Sequence, residues 1–324
     1  MSLPRARRQA ASEQTGQRPP VLNRGAQSPH KPAFYAPPLD RNKKEGGCRP
    51  MENTQIIRAA LKAEGITECG FLPRAHFRVL NERLMQRCDG LQSAVVFLIP
   101  YRCDASPKDG LNISLYARVK DYHAYFAALS ERLLAALRSS FPDERFAGFC
   151  DHSPIDEKDA AARCGLGVLG RNSLLINPTY GSFVFIGSLL TSLALSENRS
   201  YTAELCCGCG RCERACPVSA MTGSGIDGAK CLSGITQKKR KTPEDEALLR
   251  QTGTVWGCDV CQLACPMNCG AAYTEIPFFK NSFADMLSAE AIEAMRDEEF
   301  ALYAFSWRGR AVITDNIRRV QRQY

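Results

Sequence analysis

The chain has 324 residues, 44% hydrophobic and 23% charged, with 16 cysteines and a formal net charge of +8. That length allows two or three domains around a sizeable core. No apolar run approaches the roughly 18 residues of a membrane-spanning helix, so no membrane partner is expected. The charge is uneven: residues 1–50 hold ten Lys/Arg against three acids, a net of +7, and the remaining 274 residues carry +1. The folded part is therefore nearly neutral, and the net charge is not in itself a nucleic-acid footprint.

Residues 1–50 are rich in Pro, Arg, Gln, Ser and Gly and read as a disordered basic extension. They could serve as an RNA-binding arm or a transit-like peptide. Arg7-Arg8 could suggest a twin-arginine signal, but polar Gln9–Gln17 stands where the apolar stretch belongs. Met51 opens an ordinary N-terminal helix, so the extension could also be an upstream mis-start. Without an apolar export region, a reducing, cytoplasmic setting is expected.

Residues 51–200 read as an α/β layer. Asn53 can cap a helix running to about Glu64. A short strand follows near Gly70–Leu72, and Ala94–Pro100 is a continuous apolar run, as in a strand covered on both faces. Ser114–Phe141 has helical spacing through Leu129, Leu133, Leu134 and Leu137. Phe146–Cys150 reads as a strand, Ile155–Arg163 as a helix and Ser182–Leu195 as a last strand, with a possible turn at Gly187.

Gly165-Leu-Gly167-Val-Leu-Gly170 matches the dinucleotide pattern G-x-G-x-x-G, but a helix precedes it and strand-like sequence follows. That order is the reverse of a phosphate-binding turn, so a tight turn is expected instead. Asp121-Tyr-His123-Ala-Tyr-Phe126 falls short of the D-x-H-x-x-G cobalamin pattern, because Phe126 replaces the glycine.

Ten of the sixteen cysteines fall within 64 residues, Cys206 to Cys269. Cys206-x-x-Cys209-x-x-Cys212-x-x-x-Cys216-Pro217 is the ferredoxin run for a 4Fe–4S cluster, whose fourth cysteine serves the other cluster when there are two. Cys258-x-x-Cys261-x-x-x-Cys265-Pro266 lacks one thiolate, which Cys231 can supply. Crossing the endings gives one cluster on Cys206, Cys209, Cys212 and Cys265, and a second on Cys216, Cys231, Cys258 and Cys261. Paired zinc sites are the alternative, but the second half fits a zinc ribbon poorly. Cys207 and Cys269 are left as bystanders. With about −2 on each oxidised cluster the body becomes acidic, so any nucleic-acid contact needs a local patch. Lys238-Lys239-Arg240-Lys241 is such a patch, or simply a solvated loop.

From Met51 to Tyr324 the order of motifs resembles the epoxyqueuosine reductase family. The resemblance is carried by Tyr116-Ala-Arg-Val-Lys-Asp121-Tyr122-His123 and Asp151-His-Ser-Pro154-Ile-Asp-Glu157-Lys158. It continues through Gly165–Asn177, Tyr180–Gly187 and both cysteine groups, including Gly257-Cys-Asp-Val-Cys-Gln262. It implies an α+β protein. A nitroreductase-related α/β domain for cobalamin and substrate (51–200) would precede a ferredoxin-like domain with two 4Fe–4S clusters (201–270) and a short helical tail (271–324). The implied activity is reduction of epoxyqueuosine in tRNA, the clusters feeding electrons to cobalamin held without a protein ligand to cobalt. Asp151 falls on the family's proton donor, and a carboxyl buried over a corrin would have its pKa raised. Without the resemblance Asp151 reads as a cap or turn residue before Pro154. Tyr116, Thr191 and Ser233 fall where the family contacts cobalamin.

The chain departs from longer relatives at Gly234, Gln237 and Met267, where Tyr, Glu and Trp are common. The resemblance is to a short form of the family, so a protein without the helical-repeat tRNA-binding domain of longer members is expected. Lys238–Lys241 and Arg308, Arg310, Arg318, Arg319 and Arg322 remain as anion-binding candidates. A monomer served by an unidentified low-potential electron donor is expected. Two other readings remain: a corrinoid reductase of another substrate, like the reductive dehalogenases, and a non-catalytic two-cluster electron-transfer protein.

Overall fold

The computed structural model describes residues 50–195, 206–222 and 225–321, with the backbone of residues 34–35. Most of the basic extension, the expected boundary near residue 200, and Arg322 lie outside the described residues. The chain runs through β1 (Phe34–Tyr35), α1 (Pro50–Ala63), β2 (Cys69–Pro73), α2 (Glu82–Gln86) and β3 (Ser93–Pro100). After β4 (Asn112–Ile113) come α3 (Leu115–Arg118), α4 (Tyr122–Ser140), β5 (Phe146–Phe149) and α5 (Glu157–Arg163). The hairpin β6 (Val168–Leu169) and β7 (Leu175–Ile176) then leads to β8 (Val184–Thr191).

These strands form one five-stranded sheet in the order β1-β5-β8-β3-β2, with every neighbouring pair antiparallel. The continuous apolar run of β3 follows from its central place, because side chains alternate between two covered faces. Val95, Phe97 and Ile99 pack with Ile57, Leu61, Leu129 and Leu133 under α1 and α4. Ala94, Val96 and Leu98 pack on the other face with Leu84, Met85, Ala160 and Ala161 of α2 and α5.

The second half adds α6 (Arg211–Ala215), the hairpin β9 (Met221–Thr222) and β10 (Gly225–Ile226), α7 (Leu232–Thr236), α8 (Pro243–Thr252), β11 (Thr254–Trp256) and α9 (Val260–Leu263). It ends in α10 (Pro277–Lys280), α11 (Ala289–Ala294), α12 (Asp297–Phe300) and α13 (Arg310–Gln321). β11 pairs in parallel with β4. Around that pair Trp256, Phe305, Ile313 and Ile317 share a third core with Leu111, Ile113 and Ala117. The tail is thus packed on the first half rather than appended to it. No described helix is long and apolar enough to cross a membrane.

Four local expectations are corrected. α1 begins at Pro50, so Asn53 lies inside its first turn, buried, and does not cap it. The expected Ser114–Phe141 helix is split. α3 ends at Arg118, whose buried guanidinium is held by Asp109 at 2.8 and 2.9 Å, and Asp121 then caps α4 by accepting from the His123 N–H. A two-residue strand, β1, occurs in the stretch expected to lack structure. Gly187 is no turn: it sits within β8 opposite Phe97. There a Cβ would come within 2.6 Å of the Phe97 ring and 2.9 Å of the Phe126 ring. Glycine is required at this position by the packing of those two rings. The Gly165–Gly170 segment does follow a helix and enter the β6–β7 hairpin, with Gly165 at φ 69° and Gly167 at φ 158°.

Replacing Gly187 by Ala should therefore overpack the sheet and cost about 1–3 kcal/mol of stability, read as a lower denaturation midpoint; an unchanged midpoint would show that the two rings have room to move.

Candidate active site and metal centre

The first constellation forms where β5 ends. Asp151 follows Cys150 with φ 63°, a left-handed conformation uncommon for a residue with a Cβ. Its N–H donates to Glu157 Oε2 at 2.8 Å, and Glu157 Oε1 lies 3.0 Å from the Ser188 hydroxyl of β8. Glu157, the first residue of α5, thus ties the Asp151 turn to the sheet. From α4, the Tyr122 hydroxyl donates to Asp151 Oδ2, and His123 Nε2 stands 3.5 Å from the same oxygen. The other ring nitrogen, Nδ1, is 2.9 Å from Asp121 Oδ1. Tyr122 is stacked on Phe185 with 3.9 Å between ring centroids, and Phe185 on Tyr101 at 4.4 Å.

This arrangement sets the protonation of Asp151. Partial desolvation at the protein surface pushes its carboxyl up, but the hydrogen bonds from His123 and Tyr122 outweigh that and hold it below its ordinary value. Its side chain is 62% exposed, which keeps the carboxylate hydrated and favours the same direction. Burial alone would lower His123, yet its bonds to Asp121 and Asp151 raise it to about 9. Burial and the Asp151 charge push Glu157 up to about 8. At neutral pH the protons therefore reside on His123 and Glu157, and Asp151 is ionised between them.

The second constellation is built from cysteines. A cavity is lined by Cys206, Cys209, Cys212 and Cys265 with Gly208, Gly210, Asn172 and Met267. Gly208 (φ 66°) and Gly210 (φ 69°) let the backbone wrap around it. The Cys265 thiol is raised by burial and by the neighbouring thiols of Cys212, Cys206 and Cys209. Burial, then Cys258, Cys231 and Cys216, push Cys261 up to about 12. Burial also raises Cys258, with Cys231 and Cys216 again among its neighbours. α6 packs on α9 and so brings the two cysteine groups of the sequence side by side. No three His, Cys, Asp or Glu side chains among the described residues converge as around a single ion. Cys207 lines the first cavity and bonds to Cys209, while Cys269 is exposed.

The two constellations share supports. Asp259, between Cys258 and Cys261, accepts from the Ser114 hydroxyl and from the Leu115 N–H at 2.7 Å, and so caps α3. Trp256 Nε1 donates to the Tyr116 hydroxyl at 3.2 Å. Gln262 Nε2 reaches the Tyr101 hydroxyl at 3.2 Å and the Ser182 carbonyl at 2.8 Å.

Two family models match the sequence: a 4Fe-4S double cluster binding domain over residues 205–268, and the DUF1730 domain of epoxyqueuosine reductase QueG over residues 82–152. Epoxyqueuosine reductase of Gloeobacter violaceus is 32% identical over 245 residues, covering 73% of this chain and 76% of that protein. The chain belongs to the epoxyqueuosine reductase family. Its Synechocystis member is 34% identical over 68% of this chain and 79% of its own length. Among solved structures, the Streptococcus thermophilus epoxyqueuosine reductase superposes with a TM-score of 0.71 at 22% identity, covering 82% of this chain and 80% of that one. An epoxyqueuosine reductase in complex with an epoxyqueuosine-modified tRNA-Tyr stem loop gives 0.71 at 21%, covering 83% and 80%. At these identities the likeness is one of fold, a mixed α/β chain.

The residues expected to contact cobalamin in this family are not all placed alike. Tyr116 is half-buried, its ring 3.2 Å from where a Cβ on Gly257 would stand, and burial pushes its hydroxyl up to about 12. Ser233 is half-buried on α7, the helix whose Thr236 hydroxyl accepts from the Gly257 N–H. Tyr116 therefore borders Gly257, and Ser233 lies on the helix that holds the Gly257 N–H. Thr191 does neither. It is fully buried at the end of β8, and its hydroxyl accepts from the Leu193 N–H. It lies three residues, about 10 Å of strand, beyond Ser188, so it offers no surface to a ligand, and its expected contact is withdrawn. Gly234 is constrained as well: a Cβ there would meet the Gly228 carbonyl at 2.4 Å. The sequence assigned no role to Tyr122, His123 or Glu157. The available signal was that all three lie in the two segments that carry the resemblance.

The proton on Glu157 makes a stability prediction. A folded pKa of about 8 against an ordinary 4.5 means that the unfolded chain releases this proton first as pH rises. Stability from this group is then full below pH 4.5 and lost as pH climbs through 8. His123, raised from 6.5 to about 9, acts in the same direction over its own interval. Thermal midpoints should fall between pH 5 and pH 8.5, and Glu157→Gln should flatten the lower part of that fall. An equally steep variant would place the proton elsewhere.

Proposed function

We propose that this chain reduces epoxyqueuosine to queuosine in tRNA, acting as a monomer in a reducing, cytoplasmic setting. Converting an epoxide to an alkene consumes two electrons and two protons and releases the oxygen as water. The observation that carries the reading is a cavity lined by Cys206, Cys209, Cys212 and Cys265 in the same chain as a site where His123 and Glu157, raised to about 9 and about 8, keep their protons at neutral pH beside Asp151. A fold of this family on its own would support the substrate but not the steps.

Cys206, Cys209, Cys212 and Cys265 would hold one 4Fe–4S cluster, and Cys216, Cys231, Cys258 and Cys261 the other. Tyr116 and Ser233 would border cobalamin in the nitroreductase-like first half. Both nitrogens of His123 face carboxylates, which would leave this side chain to hold and pass a proton rather than to hold the cofactor. When bound, cobalamin and the clusters would supply low-potential electrons from an external donor.

The chain's own contribution is proton delivery. Breaking a C–O bond of the epoxide leaves an alkoxide that must be protonated. Asp151 Oδ2 is within reach of His123 Nε2 and of the Tyr122 hydroxyl, so Asp151 would act as the exposed end of a relay. The His123–Asp151 pair titrates as a unit, with its proton nearer the imidazole. Asp121 keeps that imidazole oriented through Nδ1. Glu157 maintains the left-handed turn that presents the carboxylate.

Anaerobically reconstituted protein with cobalamin and a strong reductant should convert epoxyqueuosine-containing tRNA, read by nucleoside analysis of the digested tRNA; unchanged epoxyqueuosine would end this reading. Asp151→Asn should keep its iron content and lose about 10²–10⁴-fold in turnover. Because the needed protons leave His123 near 9 and Glu157 near 8, wild-type turnover should decline above about pH 8; a rate that rises through pH 9 would contradict the relay.

A further inference from the structure

Ion pairing sorts the anion-binding candidates. Arg310 is held by Asp297 at 2.7 Å, Arg318 by Glu293 at 2.6 Å and Arg319 by Glu246 at 3.1 Å. In the basic run, Lys238 is bound to Asp245 at 2.8 Å, and Lys241 donates to the Lys238 carbonyl. Burial and the nearby Arg319 charge lower Lys241 to about 8. These cations mostly serve the fold.

Arg308 differs. It forms no ion pair among the described residues, and its Nε is buried without a hydrogen-bond partner. Its guanidinium instead lies 3.7 Å from the ring centroid of Trp307, an indole that is 41% exposed. A half-buried cation without an acceptor is costly, and a large exposed indole beside it is poorly placed for stability alone. Both belong to a 3-10 turn, Ala304–Arg308, that packs on α3. Just before that turn, the Leu302 carbonyl accepts from the Asp121 N–H at 2.7 Å and Tyr303 bridges to Lys120. The pair is therefore carried by the segment that abuts the start of α4, where Tyr122 and His123 arise.

We propose that Trp307 and Arg308 form a grip for the single-stranded loop of the RNA substrate, the exposed side of the indole stacking on a base and the guanidinium taking an adjacent phosphate. An indole stacks on any base, and an arginine satisfies a phosphate through its fork of donors. This combination suits an unpaired loop rather than duplex, whose bases are already stacked. The inference rests on the reading of tRNA as substrate, and it places loop recognition on the tail.

The test is binding of a tRNA anticodon stem loop to the cluster-loaded protein, followed by fluorescence anisotropy across a salt series. Trp307→Ala should raise Kd roughly 5- to 150-fold. Arg308→Gln should weaken binding and reduce the slope of log K against log salt by about 0.7. Trp307→Phe should recover most of the lost affinity, and it carries the test if the alanine variant fails to fold. A fully paired RNA of equal length should be insensitive to Trp307. Wild-type-like Kd and salt slope in both variants would overturn the proposal, as would a wild-type protein that binds no RNA. Wild-type protein that binds the stem loop through these residues but leaves epoxyqueuosine unreduced would sustain the grip and defeat the catalytic reading instead.

Discussion

The hydrogen bond from the Asp151 N–H to Glu157 Oε2 is the constraint on which the site depends. A non-glycine residue in the left-handed region costs of order 1 kcal/mol or more and persists only where its surroundings over-determine it. Here the determination comes from a carboxyl that is itself pinned to Ser188 of the central sheet. Glu157 can do this beside a second carboxylate because it keeps its proton. Were it ionised at neutral pH, two negative charges would face each other within one turn. The raised Glu157 and the lowered Asp151 are thus two aspects of one arrangement, and His123 completes it by placing a positive charge on the opposite side of Asp151.

The same economy of supports joins this site to the cysteine loops. Asp259 lies between two expected cluster ligands, yet its carboxylate caps α3 in the other half of the molecule. Capping fixes Tyr116, which Trp256 holds from below. Gln262 follows Cys261 and bonds to Tyr101, the far member of the aromatic stack that ends at Tyr122. Displacing the cysteine loop would therefore disturb both the α3 cap and the stack behind Asp151. Clusters that bound only to their own loop would leave such bonds without purpose.

Much of this was legible in the sequence because it is local. The buried run of β3, the reversed context of the glycine pattern and the paired C-x-x-x-C-P endings are all read within a dozen residues. What was not legible depends on the register between distant segments. Gly187 has the look of a turn until Phe97 is placed opposite it. Thr191 is a reasonable polar contact until the sheet buries it. The partners of Asp151 were hidden for the same reason. The approach of Tyr122 and His123, which holds its carboxyl down, comes from the crossing of α4 with the end of β5.

Charge shows how the two levels combine. The net charge of +8 belongs mainly to residues 1–50, and the described body uses its tail arginines to bind its own acids. A nearly neutral body with acidic clusters would repel an RNA backbone at long range, so steering by a broad basic face is unavailable to it. Recognition must then be short-ranged: a stacked base, one or two phosphates, and a fit to the reactive centre. For an enzyme whose target is a single modified base, such contacts discriminate better than a diffuse positive field, because phosphate attraction alone carries no sequence information.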